Sequence, residues 1–297
     1  MNPTKIPYLD MTWNPITGCE WVSHGCDNCW AKAMANRFRG KNGYPEKDPF
    51  RSTFRKERLQ EPWECNEPKR IFVVSMGDLF CKYVHEVWLE KILKVMVDCD
   101  WHTYFICTKR PERMKSFIEN HAKEWQLLRK HAVLCVSIED ERVMSRARVL
   151  AEIDADCRMF SLEPLIGPLD VSGALSKGKV HGVIIGGESG QKGRVMSGKW
   201  VSRVIKDAGA AKVPVFFKQW GHYEPARKVV RDGRRAVAVF ANQDEIAVSR
   251  FKPEGVRNKL FDDWYYRRTQ GISWGGYDML VDGSFRKELP DMLRKGE

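Results

Sequence analysis

No stretch of this 297-residue chain approaches the roughly 18 consecutive apolar residues that a membrane-spanning helix needs. The opening Met1-Asn2-Pro3-Thr4-Lys5-Ile6-Pro7 also lacks the basic start and apolar run of a secretory signal. No membrane partner is expected, and a cytoplasmic setting is. Internal repeats, low-complexity tracts and an evident flexible linker are missing too, which argues against solenoid and disordered architectures. Gly186-Gly187-Glu188-Ser189-Gly190 has the wrong glycine spacing for a dinucleotide fingerprint. A disulfide framework is not indicated either. Six of the nine cysteines (Cys65, Cys81, Cys99, Cys107, Cys135 and Cys157) are scattered singly, several within apolar runs, and read as small buried hydrophobes in a reducing compartment.

With 43% apolar and 30% charged residues, the composition is that of an ordinary globular protein with a sizeable core. The formal net charge of +11 favours a polyanionic partner, because each Lys or Arg placed at a phosphate releases condensed counterions. That charge is concentrated between residues 32 and 58, which carry nine Lys or Arg against three acids, with Phe38, Tyr44, Phe50 and Phe54 interleaved. Arg37, Arg39, Lys41, Arg51, Arg55 and Lys56 are the candidate phosphate contacts, and the rings are candidate stacking surfaces for exposed bases. The alternative is a solvated insertion with a few aromatics packed beneath it.

Short β-rich runs at 12–17, 71–75, 103–108, 132–136, 158–162, 182–185 and 213–217 alternate with amphipathic helical patterns at 84–99, 111–130, 139–153 and 199–210. In the first helix, Val87, Ile92, Val95 and Met96 are the expected apolar face. Such alternation predicts an α/β fold with a parallel sheet and right-handed crossovers, a partial (β/α)6 TIM-like barrel over residues 1–222 with a basic insertion at about 32–70. Residues 223–297, which contain Trp264-Tyr265-Tyr266 and Trp274-Gly275-Gly276-Tyr277, are expected as a C-terminal extension packed on the barrel. Nearly every strand ends in a polar or glycine-rich group. These groups contain Ser75, Gly77 and Asp78, then Lys109 and Arg110, Ser137 and Glu139, Ser161 and Glu163, Glu188, and Lys218. In parallel α/β folds ligands bind beyond the carboxyl ends of the strands, so these groups should converge on one mouth.

Cys19, Cys26 and Cys29 form a C-x6-C-x2-C pattern after the first strand. Two metals suit it. Zinc would take three thiolates and His24 in a closed tetrahedron. A [4Fe–4S] cluster would use the thiolates for three irons and leave the fourth open to an exogenous ligand. Spacing alone does not separate them.

With Trp30 following, the pattern looks like a variant of the radical S-adenosylmethionine signature, whose commoner form has three residues in the first gap. Six ordered motifs, Thr12-Trp13-Asn14-Pro15-Ile16-Thr17-Gly18-Cys19, Gly77-Asp78-Leu79-Phe80, Thr108-Lys109-Arg110-Pro111, Ser161-Leu162-Glu163-Pro164-Leu165, Gly186-Gly187-Glu188-Ser189-Gly190 and Phe217-Lys218-Gln219-Trp220-Gly221, resemble a phage and bacterial family of radical-SAM-like three-cysteine proteins over roughly residues 10–222. The resemblance implies a radical SAM barrel whose free iron is chelated by S-adenosylmethionine, an electron from the cluster that cleaves the sulfonium to a 5′-deoxyadenosyl radical, and an external electron donor as partner. It places Trp30 near the adenine, Gly77 and Asp78 at the methionine amine, and Ser75, Ser137, Glu139 and Ser161 around the same cofactor. Lys109, Arg110 and Lys218 become candidate anchors for a substrate carboxylate, with Glu163 and Glu188 as acids near an amine.

Phage relatives are linked by the resemblance to thymidine hypermodification, in which an N-linked glycinylthymidine is isomerised to a carbon-linked amino acid inside the infected bacterial cell. A base within a duplex is out of reach of an enclosed cluster, so DNA is expected as a flipped base or a single strand. Two other readings remain open at this level. One is a radical lyase repairing thymine lesions, with Cys107 or Cys135 as hydrogen donor, and the other is a non-catalytic zinc-dependent nucleic-acid-binding protein.

Overall fold

The structure, a computed structural model, describes residues 1–189 and 192–223 in full, together with the backbone of strands reaching to residue 268. Its centre is one sheet. Strands β2 (Met11–Trp13), β5 (Arg70–Val73), β6 (Thr103–Thr108), β7 (Ala132–Ser137), β8 (Cys157–Leu162), β9 (Gly182–Gly186) and β10 (Val215–Gln219) lie side by side in chain order, all parallel, and β1 (Asn2–Pro3) adds antiparallel to the outer edge of β2. The fold is therefore mixed α/β with a mostly parallel sheet. Its end strands β1 and β10 are not hydrogen-bonded to one another, so the sheet is open rather than closed.

Local chemistry explains where the elements differ from expectation. The 12–17 run is divided at Asn14-Pro15, since Pro15 has no N–H to donate to a ladder. Its second half, β3 (Ile16–Thr17), pairs instead with β4 (Thr53–Phe54). After α1 (Trp30–Arg37), helix α2 (Glu86–Asp98) buries Leu89, Ile92, Leu93 and Met96, a stripe at helical spacing, while Val87 faces outward at 54% exposure. The pattern at 111–130 is two helices, α3 (Pro111–Asn120) and α4 (Ala122–Leu128), separated by His121 at φ −118°. Helix α5 (Ser145–Glu152) starts later than its pattern because Asp140 caps a short turn through Arg142 N–H. Helices α6 (Ser172–Leu175) and α7 (Gly198–Ala210) complete the layer.

The two sides of the sheet carry different cores. Tyr104, Ile106, Leu134, Val136, Phe160, Leu162, Val183 and Ile185 pack with the helices into a large cluster. Alternate residues Phe105, Val133, Cys135, Cys157, Met159, Ile184 and Phe216 form a smaller inner cluster with Tyr8 and Leu9. Each large side chain buried this way stabilises the fold by about 1.5–3 kcal/mol. Of the scattered cysteines, Cys81, Cys99, Cys135 and Cys157 are buried, whereas Cys65 and Cys107 are half-buried.

Beyond residue 222, β11 (Tyr223–Pro225), β15 (Asn258–Phe261) and β16 (Trp264–Arg268) form one three-stranded sheet, and β12 (Lys228–Asp232), β13 (Arg235–Val239) and β14 (Glu245–Ala247) another. The remainder of the expected C-terminal extension, Trp274-Gly275-Gly276-Tyr277 included, lies outside the described residues, as does Gly190. No helix among the described residues is long and apolar enough to cross a membrane.

Candidate active site

The inner face of the sheet changes character toward its carboxyl ends. Above the inner apolar cluster, continuing the same alternation, come Lys109 after β6, Ser137 at the end of β7 with Glu139 after it, Ser161 on β8 with Glu163 after it, and Lys218 on β10. Part of this polar layer opens into a cavity of about 480 Å³. Its wall includes Cys19, Cys26, Cys29, Ser75, Gly77, Asp78, Lys109, Arg110, Ser137 and Arg51. Trp30, Glu139, Ser161, Glu163, Glu188 and Lys218 do not line it, and Trp30 is 48% exposed.

The cysteine loop is fastened to this mouth at every turn. Gly18, at φ +90°, forms a parallel bridge with Gly77, and a Cβ on Gly77 would stand 2.5 Å from the Gly18 carbonyl oxygen. The backbone approach that Gly77 permits is thus to the loop. Ser23 Oγ donates to Glu139 Oε1 at 2.9 Å, and Asn28 Nδ2 donates to Glu188 Oε2 at 2.9 Å. Arg194 completes the clamp: its backbone N–H and Nε each donate to Glu188 Oε2 at 2.9 Å, while Nη2 donates to the His24 carbonyl at 2.7 Å. Glu188 therefore holds the loop, with Arg194 and Asn28 as its partners. His24 turns outward, 53% exposed, with Nδ1 3.1 Å from Asp27 Oδ2.

Asp78 is buried and its carboxylate is filled. Oδ1 accepts from Thr108 Oγ1 at 2.7 Å and Phe80 N–H at 2.9 Å, and Oδ2 accepts from Lys109 N–H and Arg110 Nη1, both at 3.1 Å. Four donors use the lone-pair sites a carboxylate offers. Arg110 also donates to the Glu20 carbonyl at 2.9 Å and to Cys19 Sγ at 3.4 Å, bringing a cation against a candidate ligand sulfur. Glu139, 1% exposed, is held by Ser23, by Arg146 at 2.8 Å and by Lys109 Nζ at 3.3 Å. Burial works against the Lys109 ammonium, but Glu139 and Cys26 outweigh it, so its pKa is raised and the side chain stays charged in the wall. The Cys19 thiol is pushed up, first by its hydrogen bond with Cys81 and then by burial. Ser75 is tied to Asn14, with oxygen and nitrogen 3.2 Å apart, and Ser137 Oγ lies 3.6 Å from Cys107 Sγ.

Toward the far edge, Lys218 Nζ sits 2.8 and 3.0 Å from the two oxygens of Glu163, a closed ion pair. The basic segment behaves differently from its pattern. Tyr44 and Phe50 are buried with Ala31 and Ala35 beneath it, Phe38 packs 5.7 Å from Tyr44, and Phe54 stacks on Trp88 at 5.3 Å. Arg55 is buried at 5% exposure, donating to Thr17 Oγ1 at 2.9 Å and to the Gly43 carbonyl beside the Tyr44 ring, so it braces the insertion instead of facing a phosphate. Arg37, Arg39, Lys41, Arg51 and Lys56 are exposed, and Arg39 is engaged by the Glu46 carbonyl at 2.6 Å and Asn36 at 2.9 Å.

The donor set fits a metal cluster by its chemistry, with three free thiols of one anchored loop on one cavity wall beside two cations. As they stand the sulfurs share that wall without enclosing a common point, since no three His, Cys, Asp or Glu among the described residues are grouped tightly enough to hold an ion. Sequence reasoning missed Asn14, Ser23, Asn28, Arg146 and Arg194. Only Arg146 carries a local signal, a charged residue in the apolar stripe of α5 with Ala147 and Leu150.

Fold and site together define an α/β protein with a parallel sheet and a three-thiol cavity at its carboxyl ends. The chain belongs to the family described as "Protein of unknown function (DUF5131)", whose pattern matches residues 3–263. No curated protein matches it. Among solved structures it is similar to a spore photoproduct lyase complexed with dinucleoside spore photoproduct, at 11% identity and a TM-score of 0.44 over 91% of this chain and 71% of the other. It is similar also to a tyrosine-to-phenylalanine mutant of spore photoproduct lyase, at 10% identity and a TM-score of 0.45 over the same shares.

Proposed function

We propose that this protein is a radical S-adenosylmethionine enzyme that holds a [4Fe–4S] cluster on Cys19, Cys26 and Cys29 and modifies a DNA base. The observation that carries this reading is the clamped loop, whose three cysteines line one cavity together with Asp78, Lys109 and Arg110. The in-order parallel strands, with helices on one side and a small inner core on the other, support a partial (β/α)6 barrel. The outward His24 gives zinc no fourth ligand in that cavity.

When bound, the cluster and S-adenosylmethionine would supply one-electron cleavage and hydrogen abstraction. The chain's own part is positional and electrostatic. Arg110 keeps a cation on the Cys19 sulfur, and Asp78, saturated by its four donors, fixes Arg110 instead of receiving an ammonium. Lys109 presents the ammonium best placed in the wall for a substrate carboxylate. The inner apolar cluster excludes water below. Glu163 and Lys218 pair with each other, and Glu188 fastens the loop.

An external electron donor and a cytoplasmic setting in an infected cell accompany this reading. The favoured reaction is isomerisation of N-linked glycinylthymidine to its carbon-linked form, supported by the family resemblance and by a cationic wall suited to a glycine carboxylate. Reduced wild-type enzyme should form 5′-deoxyadenosine from S-adenosylmethionine, and nucleosides from phage DNA should shift in mass when the gene is removed. Absence of 5′-deoxyadenosine removes the enzyme class, and an unchanged nucleoside profile removes the DNA reaction.

One observation favours a repair lyase as the second reading, namely Cys107, whose half-buried thiol lines the cavity as a hydrogen donor would. Cys107→Ala with full turnover excludes it.

A further inference from the structure

We propose that Trp21 and Tyr83 form an aromatic jaw at the mouth of the cysteine-lined cavity that stacks on the bases of single-stranded DNA, with Lys32 and Arg51 on its phosphates. This deepens the nucleic-acid part of the proposed function and is independent of the metal.

Both rings are conspicuously outside, Trp21 at 56% and Tyr83 at 59% exposure, yet both belong to the cavity wall. Single exposed aromatics are ordinary, but two on the rim of one cavity, in a chain that tucks the rings of its basic segment inside, mark an interaction surface. Their positions are built. Lys82 bridges to Glu20 at 2.7 Å, so the chain neighbours of the two aromatics are tied across the rim. The indole N–H of Trp21 donates to Asp27 Oδ1 at 2.8 Å, and the His24 ring meets it edge-on at 5.9 Å and 88°. The Lys82 ammonium lies 4.9 Å from the Tyr83 ring centroid. A ring fixed before binding loses little freedom when a base lands on it.

The charges fit the same partner. Lys32 and Arg51, both exposed, line the cavity with the two rings. Of the acids there, Glu20 is paired with Lys82 and Asp78 with Arg110, and Lys109 is paired with Glu139, which leaves Asp48 against the two exposed cations Lys32 and Arg51. Aromatic faces interleaved with cations bind single strands whatever their sequence, because every base has a π-face and every link a phosphate. A duplex hides those faces, so the jaw selects exposed or extruded bases.

The test is fluorescence anisotropy of the full chain, as purified and after iron–sulfur reconstitution, with labelled oligothymidine, its duplex and oligouridine. The single DNA strand should bind at least tenfold more tightly than the duplex. Trp21→Ala and Tyr83→Ala should each weaken it by about 5- to 100-fold without changing the salt dependence, and Trp21→Phe should recover most of the loss. Lys32→Ala and Arg51→Ala should instead each flatten the slope of log K against log salt by about 0.7. Wild-type affinity in both aromatic variants, equal losses on duplex, or preference for oligouridine would overturn the proposal. Strand binding by protein that takes up no iron or sulfide on reconstitution would keep the jaw and remove the cluster, whereas loss of strand binding in protein that does take up iron would remove the jaw alone.

Discussion

The cysteine loop and the basic segment that follows it are neighbours in sequence, and both carry residue types associated with function, yet they fold by opposite rules. The loop lines the cavity with its three cysteines and is held by side chains that follow distant strands, Glu139 lying 116 residues from Ser23 and Glu188 160 residues from Asn28. The basic segment is held mainly by Tyr44, Phe50 and the braced Arg55, and it leaves most of its cations to solvent while Lys32 and Arg51 reach the cavity wall. Long-range polar contacts fix the loop, and rings that close beneath it fix the basic segment.

The largest effect that would sharpen this contrast is Cys26→Ala, which should abolish iron retention and S-adenosylmethionine cleavage while the thermal unfolding of the metal-free protein stays near wild type. Next is Glu139→Ala, which leaves Arg146 and Lys109 without their shared carboxylate in a buried setting and should cost about 3–5 kcal/mol in denaturant unfolding. Retention of full stability would show that the loop is not held from the sheet.

In the basic segment, Tyr44→Ala should cost about 3 kcal/mol through lost packing, whereas Arg37→Ala should leave the melting temperature unchanged and weaken DNA binding only slightly. A reversal of those two results would break the comparison. The smallest effect is acid-dependent. The Trp21 indole N–H, followed by His24 and Arg194, holds the Asp27 carboxyl below its usual 3.8. A depressed value means that its contribution to loop order is complete above the unfolded value and is lost as pH falls through the folded one. Near-ultraviolet circular dichroism should show that transition on the acid side of pH 3.8, and Asp27→Asn should remove it while sparing the neutral spectrum.

Periodicity made the sheet legible. Parallel strands buried on both faces read as apolar runs, and six of the seven appear close to where those runs stand. The first was misjudged because Asn14-Pro15 divides it. The thiols were legible because three cysteines close together are rare by composition. Their supports were not, because Asn28, Arg146 and Arg194 find their partners only after the chain has folded, and nothing near Glu188 announces Arg194 as its counter-ion. Asp78 shows the same limit, since its place after β5 suggested a free acceptor, and only the folded arrangement of Thr108, Phe80, Lys109 and Arg110 shows the acceptor filled.

The central claim is that Cys19, Cys26 and Cys29 hold an iron–sulfur cluster at the mouth of the sheet. Metal and sulfide analysis of anaerobically purified protein tests it most directly. The account predicts about four iron and four sulfide per chain with a brown chromophore, lost in Cys26→Ala. Stoichiometric zinc without iron or sulfide would contradict it.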